Sequence, residues 1–457
     1  MGSAVNVVLP TIQSFWQLEL SLVQWIANAY ALTLSAFILL SGSLGDLFGL
    51  RRVFNAGIVI FTVGGALCAL SPTPGILIGA RAVQGLGAAI MVPGSLAIIN
   101  RLYPREDRGR VIGLWAGVSG AIAALGPLFG GVLAEITWRA LFWFVVPVGI
   151  AASLITLRFV PSFEDEEERN TDWGGALLVL LGLGGLSYGL IRIPEVGVTW
   201  ATGIALAMAI GAIPLFVAAE RGATHPIVPF GMLDRTVGVA NIATILLYFS
   251  FQGTFFLLSF GFQQLLGYSA SMTGIAFLPA TAMIALFASR SGRITDRRGP
   301  RFQLIAGPLL LSLALVLMLL GIEVEGFLVF WLPTILLFGV GMVLLVPAVT
   351  KAALLVEERY SGAASGLNNA AARTAGLLAI TVLGAVLNTT YQELLPGLLP
   401  SELGDEARKK ILSEAGRLLS APLPESVAPE LRESVAVARS AAFAMGSRVA
   451  LSVSAAA

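Results

Sequence analysis

Gly42-Ser43-Leu44-Gly45-Asp46-Leu47-Phe48-Gly49-Leu50-Arg51 recurs 250 residues later as Gly292-Arg293-Ile294-Thr295-Asp296-Arg297-Arg298-Gly299-Pro300-Arg301. Both follow G-x-[L/I]-x-D-x-x-G-x-R, and each lies between two long apolar runs. A polar hinge duplicated inside a hydrophobic chain points to a transporter built from two homologous halves. Further correspondences keep nearly the same offset. Gly85-x-Gly87-x5-Pro93 returns as Gly339-x-Gly341-x5-Pro347, and Gly113-Leu114 as Gly366-Leu367.

Composition places the chain in a bilayer. Hydrophobic residues make up 56% of its 457 positions and charged ones 12%, with a mean hydropathy of +0.86. A soluble protein of this size has no means of hiding so much apolar surface. The net charge of +1 gives no footing for nucleic acid. The single cysteine, Cys68, excludes a disulfide framework, and no removable signal peptide is visible.

A helix needs about 20 apolar residues to cross the hydrocarbon core. On that measure the spans read 1–16, 22–44, 53–70, 76–99, 111–133, 141–159, 173–191, 200–219, 237–262, 269–291, 302–321, 327–350, 363–388 and 441–457, fourteen in all. The repeat pairs the first six with the last six. The predicted organisation is therefore an N-terminal half at 1–159, an inserted helix pair at 160–236, and a C-terminal half at 237–457 that includes an external, partly helical loop at 389–440. By the repeat's own offset span 1 is short, which predicts truncated or misassigned ends.

Six connections (45–53, 100–110, 158–172, 220–236, 290–301 and 351–360) hold 17 of the 28 Lys and Arg residues. The opposite short loops hold only Arg139 and Arg192. The positive-inside bias then sets both hinges on the cytoplasmic side. The acidic run Glu164 to Glu168 reads as a solvated connector.

In the hinges, Gly42, Gly49, Gly292 and Gly299 permit a tight turn, and Asp46 and Asp296 can accept hydrogen bonds from a helix start or an arginine. Arg51, Arg52 and Arg301 anchor the next span at the interface. Topology alone could account for them. Duplication at equivalent positions favours a latch that biases two conformers.

The hinge resembles motif A of the major facilitator superfamily. Arg81-x-x-Gln84-Gly85-x-Gly87-Ala88-Ala89 is similar to its motif B, and Gly126-Pro127-x-x-Gly130-Gly131 to its motif C, which marks exporters. Ala4-Val5-Asn6-Val7-Val8-Leu9-Pro10, Gln24-Trp25 with Tyr30, and Phe262-Gln263-Gln264-x-x-Gly267-Tyr268 resemble the fourteen-span drug:proton antiporter branch, the EmrB/QacA-like multidrug exporters. The resemblance implies an all-α membrane protein with the major facilitator fold, two six-helix halves plus two inserted helices. It implies export of lipophilic small molecules across a bacterial inner membrane, driven by the proton gradient, with no cofactor. It further implies a proton relay at Arg81, Gln84 and Gly85. The chain departs from the family at Leu47 and Leu50, where arginines are usual, at Val145 and Val146 before Pro147, and at Met1, where span 1 usually carries an aspartate.

Arg81 lies near one end of its span, so snorkelling to the interface competes with a pathway role. The second half has Ile335 and Phe338 where Arg81 and Gln84 stand, which favours function over architecture. Arg373, about ten residues into its span, is expected to face a cavity with Asn6, Tyr30, Gln252 and Asn369. Gly126 and Gly130, with Gly113 and Gly117 on the same i+4 row, predict close helix packing. Phe249, Phe251, Phe255 and Phe256 could line a lipophilic cavity, though more are expected at lipid or helix interfaces.

Other classes fare worse. Gly185-x-Ser187-x-Gly189 matches a serine-hydrolase elbow yet sits inside a span, and the only histidine is His225. No P-loop pattern exists, and no acid–base or metal constellation supports an embedded enzyme. A transporter of an anionic metabolite or other small solute on the same fold, and a truncated non-transporting membrane protein, remain as alternatives. The sequence carries no signal for or against an adaptor protein.

Overall fold

The computed structural model describes residues 2–162, 173–222, 228–357 and 360–457. The acidic run at 164–168, His225 and the side chain of Asp46 lie outside the described residues. Every regular element among the described residues is helical. Hydrocarbon offers backbone groups no water, so the chain satisfies them within each segment.

The first seven helices are α1 (Gly2–Trp16), α2 (Leu20–Phe37), α3 (Ser41–Phe48), α4 (Leu50–Leu70), α5 (Pro74–Leu102), α6 (Arg105–Ile136) and α7 (Trp138–Phe159). A pair follows, α8 (Trp173–Val196) and α9 (Trp200–Gly222). The remainder are α10 (Arg235–Phe260), α11 (Ala270–Arg298), α12 (Arg301–Leu320), α13 (Leu332–Ala353), α14 (Ser361–Leu398), α15 (Asp405–Ser413) and α16 (Arg432–Ala456). Several starts carry a side-chain cap that occupies an orphan amide. Thr73 accepts from Ile76, Asp234 from Val237 and Ser269 from Met272.

Among the described residues twelve helices are long and apolar enough to cross a membrane, and this corrects the expected fourteen. The first expected span is α1, whose 15 residues reach about 22 Å against the roughly 30 Å of a hydrocarbon core. Ala4 to Pro10 are all buried in it. The last expected span is α16, long enough at 25 residues, but diluted by Ser, Ala and the charges Arg432, Glu433, Arg439 and Arg448.

The same pairings occur at both ends of the chain. α5 packs on α2 and α4 as α13 packs on α11 and α12, α4 lies on α7 as α12 lies on α16, and α1 lies on α6 as α10 lies on α14. Between the two groups the main contacts are α6 with α11 and α2 with α14, which correspond under the sequence repeat. The pair α8–α9 attaches through α8 to α2 and α14.

The segment expected as a loop at 389–440 is more ordered than that. α14 runs on to Leu398, and α15 with short 3-10 turns forms a cap before α16. Buried Arg439 holds the cap by donating to the Leu418 and Ala421 carbonyls, both at 2.8 Å. The aromatics of α10 serve helix interfaces. Phe255 and Phe256 are buried, and Phe255 stacks on Phe277 of α11 at 4.3 Å.

Candidate functional site

Arg81 on α5 is 1% exposed, which overturns the snorkelling alternative. Its Nε donates to the Ile26 carbonyl of α2 at 3.2 Å, and its Nη1 donates to Gln84 Oε1 at 2.6 Å. The guanidinium lies over the Tyr30 ring, 4.4 Å from its centroid. A buried cation needs such neighbours in place of lost water. Among the described residues no carboxylate pairs with it, and Gln84 Nε2 is buried without a partner.

Glycines bring the backbones together here. A Cβ on Gly85 would stand 2.3 Å from the Tyr30 carbonyl, and one on Gly64 of α4 would stand 2.7 Å from the Gln84 amide nitrogen. The predicted trio of Arg81, Gln84 and Gly85 is therefore one cluster, clamped between α2 and α4, with Tyr30 as a member. At the corresponding place on α13, buried Ile335 and Phe338 stand instead, and Phe338 stacks with Phe251 at 6.1 Å.

The Gly126–Gly131 stretch lies where three helices meet. Cβ atoms would stand 2.5 Å from the Ala4 carbonyl for Gly130 and 2.2 Å from the Ala270 carbonyl for Gly131. One on Gly126 would meet Ser3 Oγ at 2.7 Å. Gly274 of α11 answers from the other side, 2.4 Å from the Pro127 carbonyl on the same measure. Gly113 and Gly117 do not extend this row. A Cβ there would meet nothing within 4 Å, because Gly117 and Gly113 stand nine and thirteen residues before Gly126 and so fall on the other side of α6.

Residues not singled out for this role from the sequence close the arginine-poor end. Gln263 Nε2 donates to the Val7 carbonyl at 2.8 Å and Gln264 Nε2 to Gln13 Oε1 at 2.6 Å. Gln13, fully buried, donates in turn to the carbonyls of Leu18 (3.1 Å) and Arg417 (3.2 Å). Deeper along α2, Gln24 donates to the Ile380 carbonyl at 2.7 Å and Asn28 to Thr381 Oγ1 at 2.9 Å. Ser271 donates to Glu135, and Thr281 to the Ala124 carbonyl. Among the described residues, the hydrogen bonds joining α1–α7 to α10–α16 all lie in this half of the bundle.

The hinges share a backbone signature. Gly49 has φ 85° and Gly299 φ 79°, a region that disfavours any side chain. Arg51 donates to the Leu157 carbonyl at the end of α7. Asp296 pairs with Lys351 at the end of α13 (2.6 Å), both well exposed. Behind it, buried Gln303 donates to the Ser291 carbonyl at 2.8 Å and ties α12 to α11. Neither Lys351 nor Gln303 stands out in the sequence, since their partners are set by packing. Gly42 and Gly292, expected in the turns, instead lie inside α3 and α11, seven residues before Gly49 and Gly299, and Arg52 and Arg301 stand at the starts of α4 and α12.

The expected cavity residues fall into two places. Gln252 on α10 lies between Gly2 of α1, 3.9 Å from its Cβ position, and Gly376 of α14, 3.2 Å from its Cβ position. Asn369 and Arg373 are exposed one turn apart on the same α14, next to this contact. Asn6 is buried with its Nδ2 unpartnered, one turn after Gly2. Tyr30 is engaged with Arg81 instead. The neighbouring Asn368 fastens α14 to α10 by donating to Thr244 Oγ1 at 2.7 Å.

Residues 1–380 match the family model described as Major Facilitator Superfamily. The chain is 32% identical over 416 residues to the multidrug resistance protein Stp of Mycobacterium tuberculosis, spanning 90% of this chain and 77% of that one. It is 33% identical over 399 residues to the puromycin resistance protein pur8 of Streptomyces alboniger, spanning 84% and 78%. A bacterial homolog of the human lysosomal transporter Spinster, solved inward-facing and unoccupied, superposes with a TM-score of 0.68 at 17% identity, over 100% of this chain and 92% of that chain. That last likeness concerns the fold.

Proposed function

Since the chain belongs to the Major Facilitator Superfamily and is a multi-span membrane transporter, we propose that it exports lipophilic or drug-like compounds by proton antiport with alternating access. The observation that carries this reading is the glycine contact of α6 with α1 and α11. Three helices approach to backbone contact there, and no side chain fills the gap. Such a surface can part and re-form as a unit when the two groups of helices rock.

In this reading α1–α7 and α10–α16 are the moving halves, and α8–α9 ride with them as the inserted pair. The arginine-rich end faces the cytoplasm of a bacterial inner membrane. Export closes the far end through Gln13, Gln263 and Gln264, while the hinges at Gly49 and Gly299 adjust the near end. Arg81, held by Tyr30 and Gln84, would pass the state of a proton to α2 without itself losing charge, since a guanidinium stays protonated. The names of the relatives, resistance proteins for antibiotics, support a drug-like cargo.

The test is proton release from everted vesicles containing this chain, across a panel of lipophilic cations, anions and neutral compounds. Substrate-dependent release that a protonophore abolishes is expected. Flux indifferent to the proton gradient would refute antiport, and silence across the panel from inserted protein would refute drug export.

A further inference from the structure

Arg373 lies deep and spends none of its donors. It stands twelve residues from the start of α14, about 18 Å along the helix and so near the middle of a hydrocarbon core. Its side chain is exposed and forms no hydrogen bond or ion pair with a described residue.

The neighbours along α14 fix where it points. Gly376, three residues on, abuts Gln252 of α10. Ala370, three residues back, packs with Leu34 of α2 and Ile38 just beyond it. Arg373 falls between these directions, so it projects into the space that α2 and α10 flank rather than toward lipid. Tyr248, one turn before Gln252 on α10, lies within electrostatic reach of it. The surrounding walls offer no countercharge. α1, α2 and α10 contain no Asp or Glu, and the sole acid of α14, Glu393, lies twenty residues further on, about 30 Å away.

A guanidinium in such a place is costly unless something pairs with it or hydrates it. Its planar fork suits two oxygens of one group, and it repels a cation entering the same space. We propose that this cavity takes lipophilic compounds bearing an anionic oxygen, a carboxylate or phenolate, and that Arg373 binds that oxygen. Gln252 and Asn369 flank it as neutral hydrogen-bonding groups. The assignment rests on the export reading and narrows its substrate class.

The purified full chain would be titrated with pyrenebutyrate and with pyrenebutylamine, which share an aromatic body and differ in charge, with fluorescence anisotropy as the readout. The wild type is expected to bind the acid at least tenfold more tightly than the amine. Arg373→Gln should weaken the acid by tenfold or more and leave the amine unchanged or tighter, and Arg373→Lys should restore part of the loss. Thermal melts of all three proteins check that folding is equal, which an exposed side chain should allow.

A wild type that prefers the amine, or an Arg373→Gln protein that binds the acid as the wild type does, overturns the proposal. In that case proton-driven release of the amine from everted vesicles, unaffected by Arg373→Gln, leaves export standing and removes only the acid assignment. Absence of binding and of flux with both probes removes the two together.

Discussion

Adding one methyl group to the α6–α11 contact should hold the far end of the transporter open. In Gly131→Ala the new Cβ would lie 2.2 Å from the Ala270 carbonyl oxygen, where 3.4 Å is ordinary contact. The oxygen belongs to the backbone at the start of α11 and has no rotamer to adopt. The two helices must therefore separate locally by about 1.2 Å, the difference between those distances. Overpacking of this kind costs about 1–3 kcal/mol. If the contact exists only while this end is closed, the penalty falls on that state alone and shifts the equilibrium by about 5–150-fold. The readout is labelling of Thr11→Cys, which lies beside the seal at Gln263, by an impermeant maleimide applied from the outside. Gly117→Ala on the same helix is the control, because its Cβ meets nothing within 4 Å. Gly131→Ala should label at least fivefold faster and lose most of its flux, and Gly274→Ala, blocked by the Pro127 carbonyl, should behave alike. Equal labelling and equal flux in Gly131→Ala and Gly117→Ala would refute the reasoning.

Arg81→Lys should bind substrate yet lose at least tenfold in proton-coupled flux, because an ammonium cannot serve Ile26, Gln84 and the Tyr30 face together. Measuring binding and flux on one preparation separates the two. Gln13→Ala leaves Gln264 Nε2 and the buried Leu18 carbonyl short of a partner, while the Arg417 carbonyl keeps Ser420, at about 1–3 kcal/mol for each group that water cannot reach. The same Thr11→Cys labelling should accelerate, and unchanged labelling would mean that the glutamine bonds do not seal this end. Lys351→Gln breaks an exposed ion pair with Asp296 and should alter stability by about 1 kcal/mol or less in a thermal melt. A change in flux at unchanged melting temperature would assign that pair to the conformational latch.

Some of this arrangement was readable from the chain because one residue type alone can do the work. Gly49 and Gly299 occupy positive φ, so both hinges announce themselves as glycines at fixed spacing. Gly130 and Gly131 do so through close backbone approach. Gly113 and Gly117 repeat the spacing of four, but they stand thirteen and nine residues before Gly126, on the other side of α6, and face open space. The span count differs at α1 because its 15 residues, apolar as they are, fall short of the length a crossing helix needs. The seal at Gln13, Gln263 and Gln264 was harder still. An amide inside an apolar run carries no mark of the face it presents, and its partners lie about 250 residues away.

The two halves repeat their scaffold and diverge in their chemistry, and the divergence has a direction. Gly85 and Gly87 press α5 onto α2 and α4, and Gly339 and Gly341 do the same work where α13 meets α11 and α12. Yet the N-terminal half places a buried cation with an amide at Arg81 and Gln84, while the C-terminal half places Ile335 and Phe338 in an aromatic cluster with Phe251 and Phe255. Packing alone would accept an apolar pair in both places, and at lower cost, since a buried guanidinium must be compensated. The charge is therefore retained against the stability of the first half. A rocking transporter gains from this split when one half senses the ion and the other stays a packed apolar scaffold at the same place. On that division, Arg81→Leu combined with Gln84→Phe would make the first half more stable, as a raised melting temperature would show, and would uncouple flux from the proton gradient.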